Sequence, residues 1–326
     1  MSARSEPHIS SPIADGAGRL LALTGATGFL GGRIAALAGG AGWRVRTLQR
    51  RPDVALDGVW EVVPGDLADG RALARLVDGA DAVVHNAGLV RAPSPGAFMA
   101  ANALGANAVA RAVLAVGGPP FVLVSSLAAS RPSVSPYAAS KAVAEAGLRR
   151  ILANHPFAIL RPPAIYGPAD AATKPMFQAM AKGFAPMPGP VDVRLAMIYV
   201  DDAAAAVLAA LGTASPFHPV YEVDDGACGY TWREIRSAGE AAAGRRLRPI
   251  RLPMPLIRTI GELGGIGAWM SDTLGFQPPF LTPGKVAEMR AGDWIADPAR
   301  SLPQWQAEVL LEAGFRRTLA WYREAG

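Results

Sequence analysis

The sequence of 326 residues has one cysteine, Cys228, so it can form neither an intrachain disulfide nor a thiolate metal cluster, and a reducing cytoplasm is the expected compartment. Histidine is also scarce. No spacing among His8, His85, His155 and His218 puts two on one helical face, so no metal ion is expected in the site. Lysine occurs 4 times against 28 arginines, and no basic cluster alternates with aromatics. The net charge of +5 and pI near 9.6 therefore read as dispersed surface charge, with no nucleic-acid partner implied. The longest basic group, Arg245, Arg246, Arg248 and Arg251, reads as a solvated loop, with a phosphate or an anionic surface as the alternative. No uninterrupted apolar run reaches the roughly 20 residues of a membrane helix, so no integral membrane segment is expected. The nearest approach, Pro249 to Met270, is broken by Arg251, Arg258 and Glu262; it reads as a packed surface helix, or else an interfacial or lid helix. The N-terminus, with Arg4, Glu6, Pro7 and Pro12, has no apolar core of a signal peptide.

Hydrophobic residues make up 51% and charged residues 18%, the balance of an ordered globular chain, with disorder expected only in the tail 1–18. From Arg19 to about Pro163, short β-rich apolar runs alternate with alanine-rich helical stretches, the rhythm of βαβ units. Strands are predicted at Leu20 to Leu23, Arg44 to Leu48, Val59 to Val63, Ala82 to His85, Phe121 to Ser125 and Phe157 to Leu160. Helices are predicted at Leu30 to Ala38, Gly70 to Val77, Phe98 to Val116 and Tyr137 to Ala153. Beyond Pro163 the pattern loosens into proline- and glycine-punctuated segments. A strand at Leu195 to Val200, a helix after Asp202, a strand at Val220 to Val223, a helix capped by Thr231 and an amphipathic helix over Gln304 to Glu324 are expected. The fold class is α/β, a Rossmann-type doubly wound parallel sheet over 19–165 with a smaller C-terminal substrate-binding lobe over 166–326, some of whose segments return to the sheet.

Residues 24–31 read TGATGFLG between a buried-type strand and a helix, the context a nucleotide-binding glycine loop requires. Gly25, Gly28 and Gly31, with Thr27, Phe29 and Leu30 between them, would let the backbone approach a pyrophosphate at a helix N-terminus. No acid stands at the end of the second strand to read a ribose 2′-hydroxyl. Arg50 and Arg51 stand there instead, and a guanidinium pairs bidentately with a 2′-phosphate. NADP(H) is therefore favoured and NAD(H) stays open, since the arginines could equally face solvent. Tyr137 and Lys141, four apart at a helix start, share a face. An ammonium beside a phenol stabilises its ionised form, so the pair can move a proton to or from a substrate oxygen while hydride moves on a nicotinamide. Ser126, at the carboxyl end of the preceding strand, is assigned to orient that oxygen, with Ser125 as the alternative; either could instead cap local backbone.

Together TGATGFLG, HNAG at 85–88, VSS at 124–126 and YAASK at 137–141 resemble the extended or atypical short-chain dehydrogenase/reductases, with the likeness running from Arg19 to about Asp202. The resemblance implies that Asp66 and Leu67, in PGDL, meet the adenine, that Asn86, Ala87 and Gly88 line the cofactor, and that Lys141 bonds the nicotinamide ribose. It places Pro162 and Pro163, in LRPPAIYGP, near the nicotinamide, gives Asn102 a family role or a local backbone one, and assigns the acids of IYVDD at 198–202 a structural role. A homodimer is expected on the same ground. Ala164 stands where nucleotide-sugar epimerases usually carry asparagine, and Leu127 and Ala128 stand where 4,6-dehydratases carry an acidic pair. The pattern is closer to the 3β-hydroxysteroid dehydrogenase and dihydroflavonol reductase-like branch. The leading expectation is an NAD(P)-dependent oxidoreductase interconverting a secondary alcohol and a ketone on a small apolar or amphipathic molecule. Phe177, Phe184, Met187 and Trp269 are candidates for the pocket, or else core. The alternatives are a nucleotide-sugar epimerase with tightly bound NAD and a catalytically silent cofactor-binding scaffold.

Overall fold

A computed structural model describes residues 16–190, 192–274 and 277–324. In its first half β1 (Leu20–Thr24), α1 (Phe29–Gly40), β2 (Arg44–Gln49), β3 (Val59–Pro64), α2 (Gly70–Val77) and β4 (Ala82–His85) follow the predicted order. Next come α3 (Pro95–Phe98), a π-helical stretch Met99–Leu104, α4 (Gly105–Ala115), β5 (Phe121–Val124), α5 (Pro136–Ile151) and β6 (Phe157–Arg161). The second half carries β7 (Ala164–Tyr166), α6 (Lys174–Ala181), β8 (Phe184–Pro188), β9 (Met197–Tyr199), α7 (Val200–Leu211) and β10 (Val220–Glu222). It ends with α8 (Trp232–Ala243), β11 (Arg248–Leu252), α9 (Met254–Leu274), α10 (Pro283–Arg290) and α11 (Leu311–Glu324).

Seven parallel strands form one sheet in the order β3-β2-β1-β4-β5-β6-β10. Strands β1, β4 and β5 are buried along their whole length, which is why their sequences run apolar without alternation. One helical layer, built on α2, α4 and α5, buries Leu73, Val109, Val113 and Leu148 against one face. The other layer, α1 and α7, buries Ile34, Ala203 and Val207 against the opposite face. The chain order reverses between β1 and β4, so a crevice opens there at the carboxyl ends of the strands, the place where sheets of this kind bind ligands.

Three differences from the sequence reading have local causes. The helix expected over Phe98 to Val116 contains the π turn, and from it the Asn102 side chain clamps the Leu89 backbone. The whole run Pro95–Ala115 is long and apolar enough by length and composition to cross a membrane, which a count of uninterrupted apolar residues passed over; here Ala103, Ala106 and Ala110 pack into the core. The last helix starts at Leu311 rather than Gln304: Leu302, Trp305 and Val309 are buried from an irregular segment, which Asp202 fixes by accepting the Val309 N–H at 2.9 Å. Of the expected tail, 1–15 lies outside the described residues, and Gly16 and Gly18 already bond Ala41 and Gly42. The other IYVDD acid, Asp201, holds Arg33 of α1 bidentately at 2.6 and 3.0 Å.

Candidate active site

At the end of β1 the chain turns through Gly25 at φ +77°, and a Cβ there would lie 2.7 Å from the backbone of Ala87. A Cβ on Gly31 would lie 1.9 Å from the Gly25 carbonyl oxygen and 2.8 Å from Asn86 Nδ2. Gly31 therefore seats α1 against β1 and β4 and does not face the crevice, while Gly25, Thr27, Gly28, Phe29 and Leu30 line it. The loop is braced from β4: Asn86 Nδ2 donates to the Gly25 carbonyl at 3.3 Å and the Ala87 N–H to Thr24 Oγ1 at 3.2 Å. No side chain caps α1 at Gly28 and no acid stands in its first turn. Its first amides thus lack side-chain acceptors beside open space, a fit for the pyrophosphate of a dinucleotide. Arg50 is exposed at the end of β2 and lines the same cavity, as do Asp66 and Leu67 beyond β3. Asp66 also accepts the Ala68 N–H at 2.8 Å.

The cavity measures about 2080 Å³, twice the upper end of an ordinary ligand pocket of roughly 300–1,000 Å³. It has room for a dinucleotide and a second molecule. Asn86, Ala87, Gly88, Ser126, Tyr137, Lys141, Pro162 and Pro163 line its inner part. Helix α5 begins where it does because Ser135 caps it, accepting the Ala138 N–H at 3.0 Å, and Pro136 fits the first turn. Ser135 Oγ also donates to Glu288 of α10 at 2.6 Å, so α10 holds the N-terminus of the helix bearing Tyr137 and Lys141.

Tyr137 is half-buried against Phe98, with ring centres 5.9 Å apart. Burial pushes its phenol up to about 12, hydrogen bonding with Ser126 opposes the rise, and the Glu288 charge adds to it. Burial lowers Lys141 to about 8 against the opposing pull of Glu145, and its Nζ donates to the Val124 carbonyl at 3.0 Å. The two serines have different local partners. Ser125 Oγ is committed to Glu145 at 2.6 Å, whereas Ser126 Oγ, which accepts the Ala128 N–H at 3.2 Å, still reaches Tyr137. Asn102 takes the local backbone role: it accepts the Leu89 N–H at 2.7 Å, donates to the Leu89 carbonyl at 3.0 Å and to Ser140 Oγ at 2.9 Å. It thereby ties the loop after β4 to α5.

Of the four pocket candidates none lines the cavity. Phe177 and Met187 are core, while Phe184 and Trp269 face outward. Leu281, Pro283, Lys285, Glu288 and Trp294 line the cavity instead. Sequence reasoning passed these over because they lie about 150 residues from Tyr137 and carry no motif.

Beneath the loop, His85 is buried, its Nδ1 lies 2.8 Å from Thr24 Oγ1, and its Nε2 has no partner. Burial, and secondarily the Lys141 charge, lower its pKa to about 3. The unfolded chain therefore takes up a proton near pH 6.5 that the folded chain refuses. Stability from this group is complete above pH 6.5 and is lost as pH falls toward 3, amounting to about 2 kcal/mol lost by pH 5. Urea unfolding of wild type and His85→Leu at pH 7 and pH 5 checks it: the variant should lose less than the wild type, and equal losses would remove His85 as the cause.

The model of the NAD dependent epimerase/dehydratase family matches residues 21–223. The chain is 42% identical to the ceramide reductase of Caulobacter vibrioides over 311 residues, covering 94% of this chain and 95% of that protein. It is 28% identical to the 2-alkyl-3-oxoalkanoate reductase of Stenotrophomonas maltophilia over 332 residues, covering 91% and 98%. Among solved structures, MoeE5 with UDP-glucuronic acid and NAD superposes with a TM-score of 0.71 at 19% identity, over 95% of this chain and 100% of the other. The UDP-glucose 4-epimerase of Thermus thermophilus with NAD gives 0.69 at 20% identity, over 94% and 100%. These two show a shared fold. The glycine loop, the sheet order, the family match and the reductase relatives lead to one conclusion: the chain belongs to the NAD dependent epimerase/dehydratase family and is an NAD(P)-dependent oxidoreductase of the short-chain dehydrogenase/reductase superfamily.

Proposed function

We propose that the enzyme reduces a ketone on an apolar or amphipathic substrate to a secondary alcohol, with NADPH as the hydride source and Tyr137 as the proton donor. The observation that carries this reading is the meeting of Ser126, Tyr137 and Lys141 on one cavity, with the phenol held protonated. A phenol pushed up to about 12 keeps its proton throughout the neutral range, so the donor form is the one present, and the stronger base forming on the substrate oxygen draws the proton off. The nicotinamide, when bound, supplies hydride. Ser126 and Tyr137 donate hydrogen bonds to the carbonyl oxygen, and as charge grows on that oxygen the phenolic proton moves to it. The phenolate left behind keeps the Ser126 hydroxyl beside it, and Lys141, charged below about pH 8, lines the same cavity. The names of the two relatives, a ceramide reductase and a 2-alkyl-3-oxoalkanoate reductase, support an apolar or amphipathic substrate.

The test is NADPH oxidation across long-chain 3-oxo lipids, 2-alkyl-3-oxo acids, steroid and flavonoid-like ketones, and short ketones. Turnover of a long-chain member is expected. Silence across the panel by protein that binds NADPH would overturn the reading, and release of near-stoichiometric NAD on denaturation would replace it with the epimerase. Arg50 is assigned to the 2′-phosphate. Arg50→Ala should raise the KM for NADPH by roughly 10- to 100-fold, the worth of charge-assisted hydrogen bonds, and leave that for NADH nearly unchanged. Equal changes for the two cofactors would take Arg50 out of that role.

A further inference from the structure

Helix α9 reverses the usual arrangement of a surface helix. Its inward face carries small residues: a Cβ on Gly261 would lie 2.5 Å from Val286 Cγ2, and one on Gly264 would lie 1.8 Å from the Leu281 carbonyl oxygen, while Ala268 and Ser271 are buried. Its outward face carries large apolar ones. Leu263, Ile266 and Trp269 are 63%, 57% and 70% exposed, and Leu256, Ile260 and Met270 continue the same face. At 100° per residue these six fall on one broad arc opposite Ile257 and Ala268, with Thr259 within the arc and Glu262 toward one edge. Scattered exposed leucines need no explanation, but a continuous face of this size marks a contact surface.

The charges beside that face indicate what covers it. Arg245, Arg246, Arg248 and Arg251 are exposed on and just before β11, and Arg258 is exposed in the second turn of α9. Among the described residues, Arg248, Arg251 and Arg258 have no ion-pair partner. A second copy of a chain of net charge +5 would bring the same arginines to the contact, whereas an anionic lipid surface complements them. Large apolar side chains including a tryptophan, with arginines close by in the chain, are the make-up of a surface that sits in a bilayer interface. On its other side, Gly265 and Ala268 form part of the wall of the catalytic cavity, together with Pro279, Phe280 and Leu281.

We propose that the outer face of α9, with the arginines of β11, docks this enzyme on an anionic bilayer surface and sets the wall of its substrate cavity against the lipid. The docking goes beyond the proposed reaction and does not depend on it. The test is flotation of the full chain with vesicles of phosphatidylcholine alone or mixed with phosphatidylglycerol, at low and high salt, with the thermal melting midpoint as the control for folding. The chain should float with the mixed vesicles, less in high salt and less with neutral lipid. The double variant L263E/W269E should lose roughly tenfold or more of the binding at an unchanged melting midpoint, as expected when two interfacial apolar side chains are made acidic. R251E/R258E should weaken binding to mixed vesicles and not to neutral ones. No binding by wild type, or undiminished binding by a folded L263E/W269E, would overturn the proposal. A concentration-dependent dimer that L263E/W269E dissociates, without vesicle binding, would overturn it in favour of a second copy.

Discussion

Replacing Tyr137 by Phe is expected to lower kcat for ketone reduction by roughly 10²- to 10⁴-fold, the usual contribution of a positioned general acid, and to leave NADPH affinity nearly unchanged. The substitution removes one oxygen and little else. The ring keeps its place against Phe98, α5 keeps its Ser135 cap, and Lys141 keeps its bond to the Val124 carbonyl. With no other phenol on the cavity among the described residues, the nascent alkoxide would have only the Ser126 hydroxyl, a far weaker acid, or water. Hydride transfer would then build negative charge that nothing neutralises. Fluorescence titration with NADPH separates the two effects, because a collapsed site would lose affinity as well as rate. A variant that binds NADPH normally and turns over at the wild-type rate would remove Tyr137 as the donor, and with it the assignment of Ser126 and Lys141 around it.

The parts of the fold that were legible in the sequence are those where one short segment contains its own cause. Strands β1, β4 and β5 announce themselves as apolar runs because both of their faces are covered, and α5 starts one residue before the expected Tyr137, where Ser135 caps it and Pro136 fits the first turn. The glycine loop is legible because Gly25 and Gly31 occupy places where a Cβ would strike backbone, a demand that only glycine meets. Beyond Pro163 the causes are distant. Strands β7 and β8 span three and five residues and pair only with segments far along the chain, so no local rhythm marks them, whereas β9 falls within the strand expected over Leu195 to Val200. The cavity wall of α10 follows from Glu288 meeting Ser135, a contact spanning 153 residues that neither segment encodes by itself. Trp269 shows the opposite error: an aromatic read as pocket or core lies on the outside, because the inner face of its helix is taken by glycine and alanine packed against backbone.

Glu145 is where fold and chemistry are most tightly joined, and Glu145→Ala should lower the free energy of unfolding by about 3–5 kcal/mol, as when one partner is removed from a buried charge pair. The carboxylate is 3% exposed and accepts from three directions: Ser125 Oγ at 2.6 Å, and Arg161 Nε and Nη2 at 2.8 and 2.7 Å. Arg161 in turn donates to Glu222 at 3.1 Å, and Glu222 accepts the Asp297 N–H at 3.0 Å. The network therefore joins the carboxyl ends of β5, β6 and β10 to α5, one turn beyond Lys141. Without Glu145, the buried side of Arg161 keeps Glu222 alone and Ser125 loses its acceptor, so two polar groups lose partners where water is scarce. A second readout follows from the same charge. Glu145 opposes the fall in the Lys141 pKa, so its removal should carry that value below about 8 and move the alkaline loss of reductase activity to lower pH. Glu145→Gln, which keeps the shape and an acceptor oxygen, should cost less stability and still shift the pH profile. Urea unfolding and pH–rate profiles of the two variants test this. A loss below about 1 kcal/mol in Glu145→Ala would mean that desolvation cancels the network's attraction. An unmoved alkaline limb in both variants would mean that Lys141 does not set that limb.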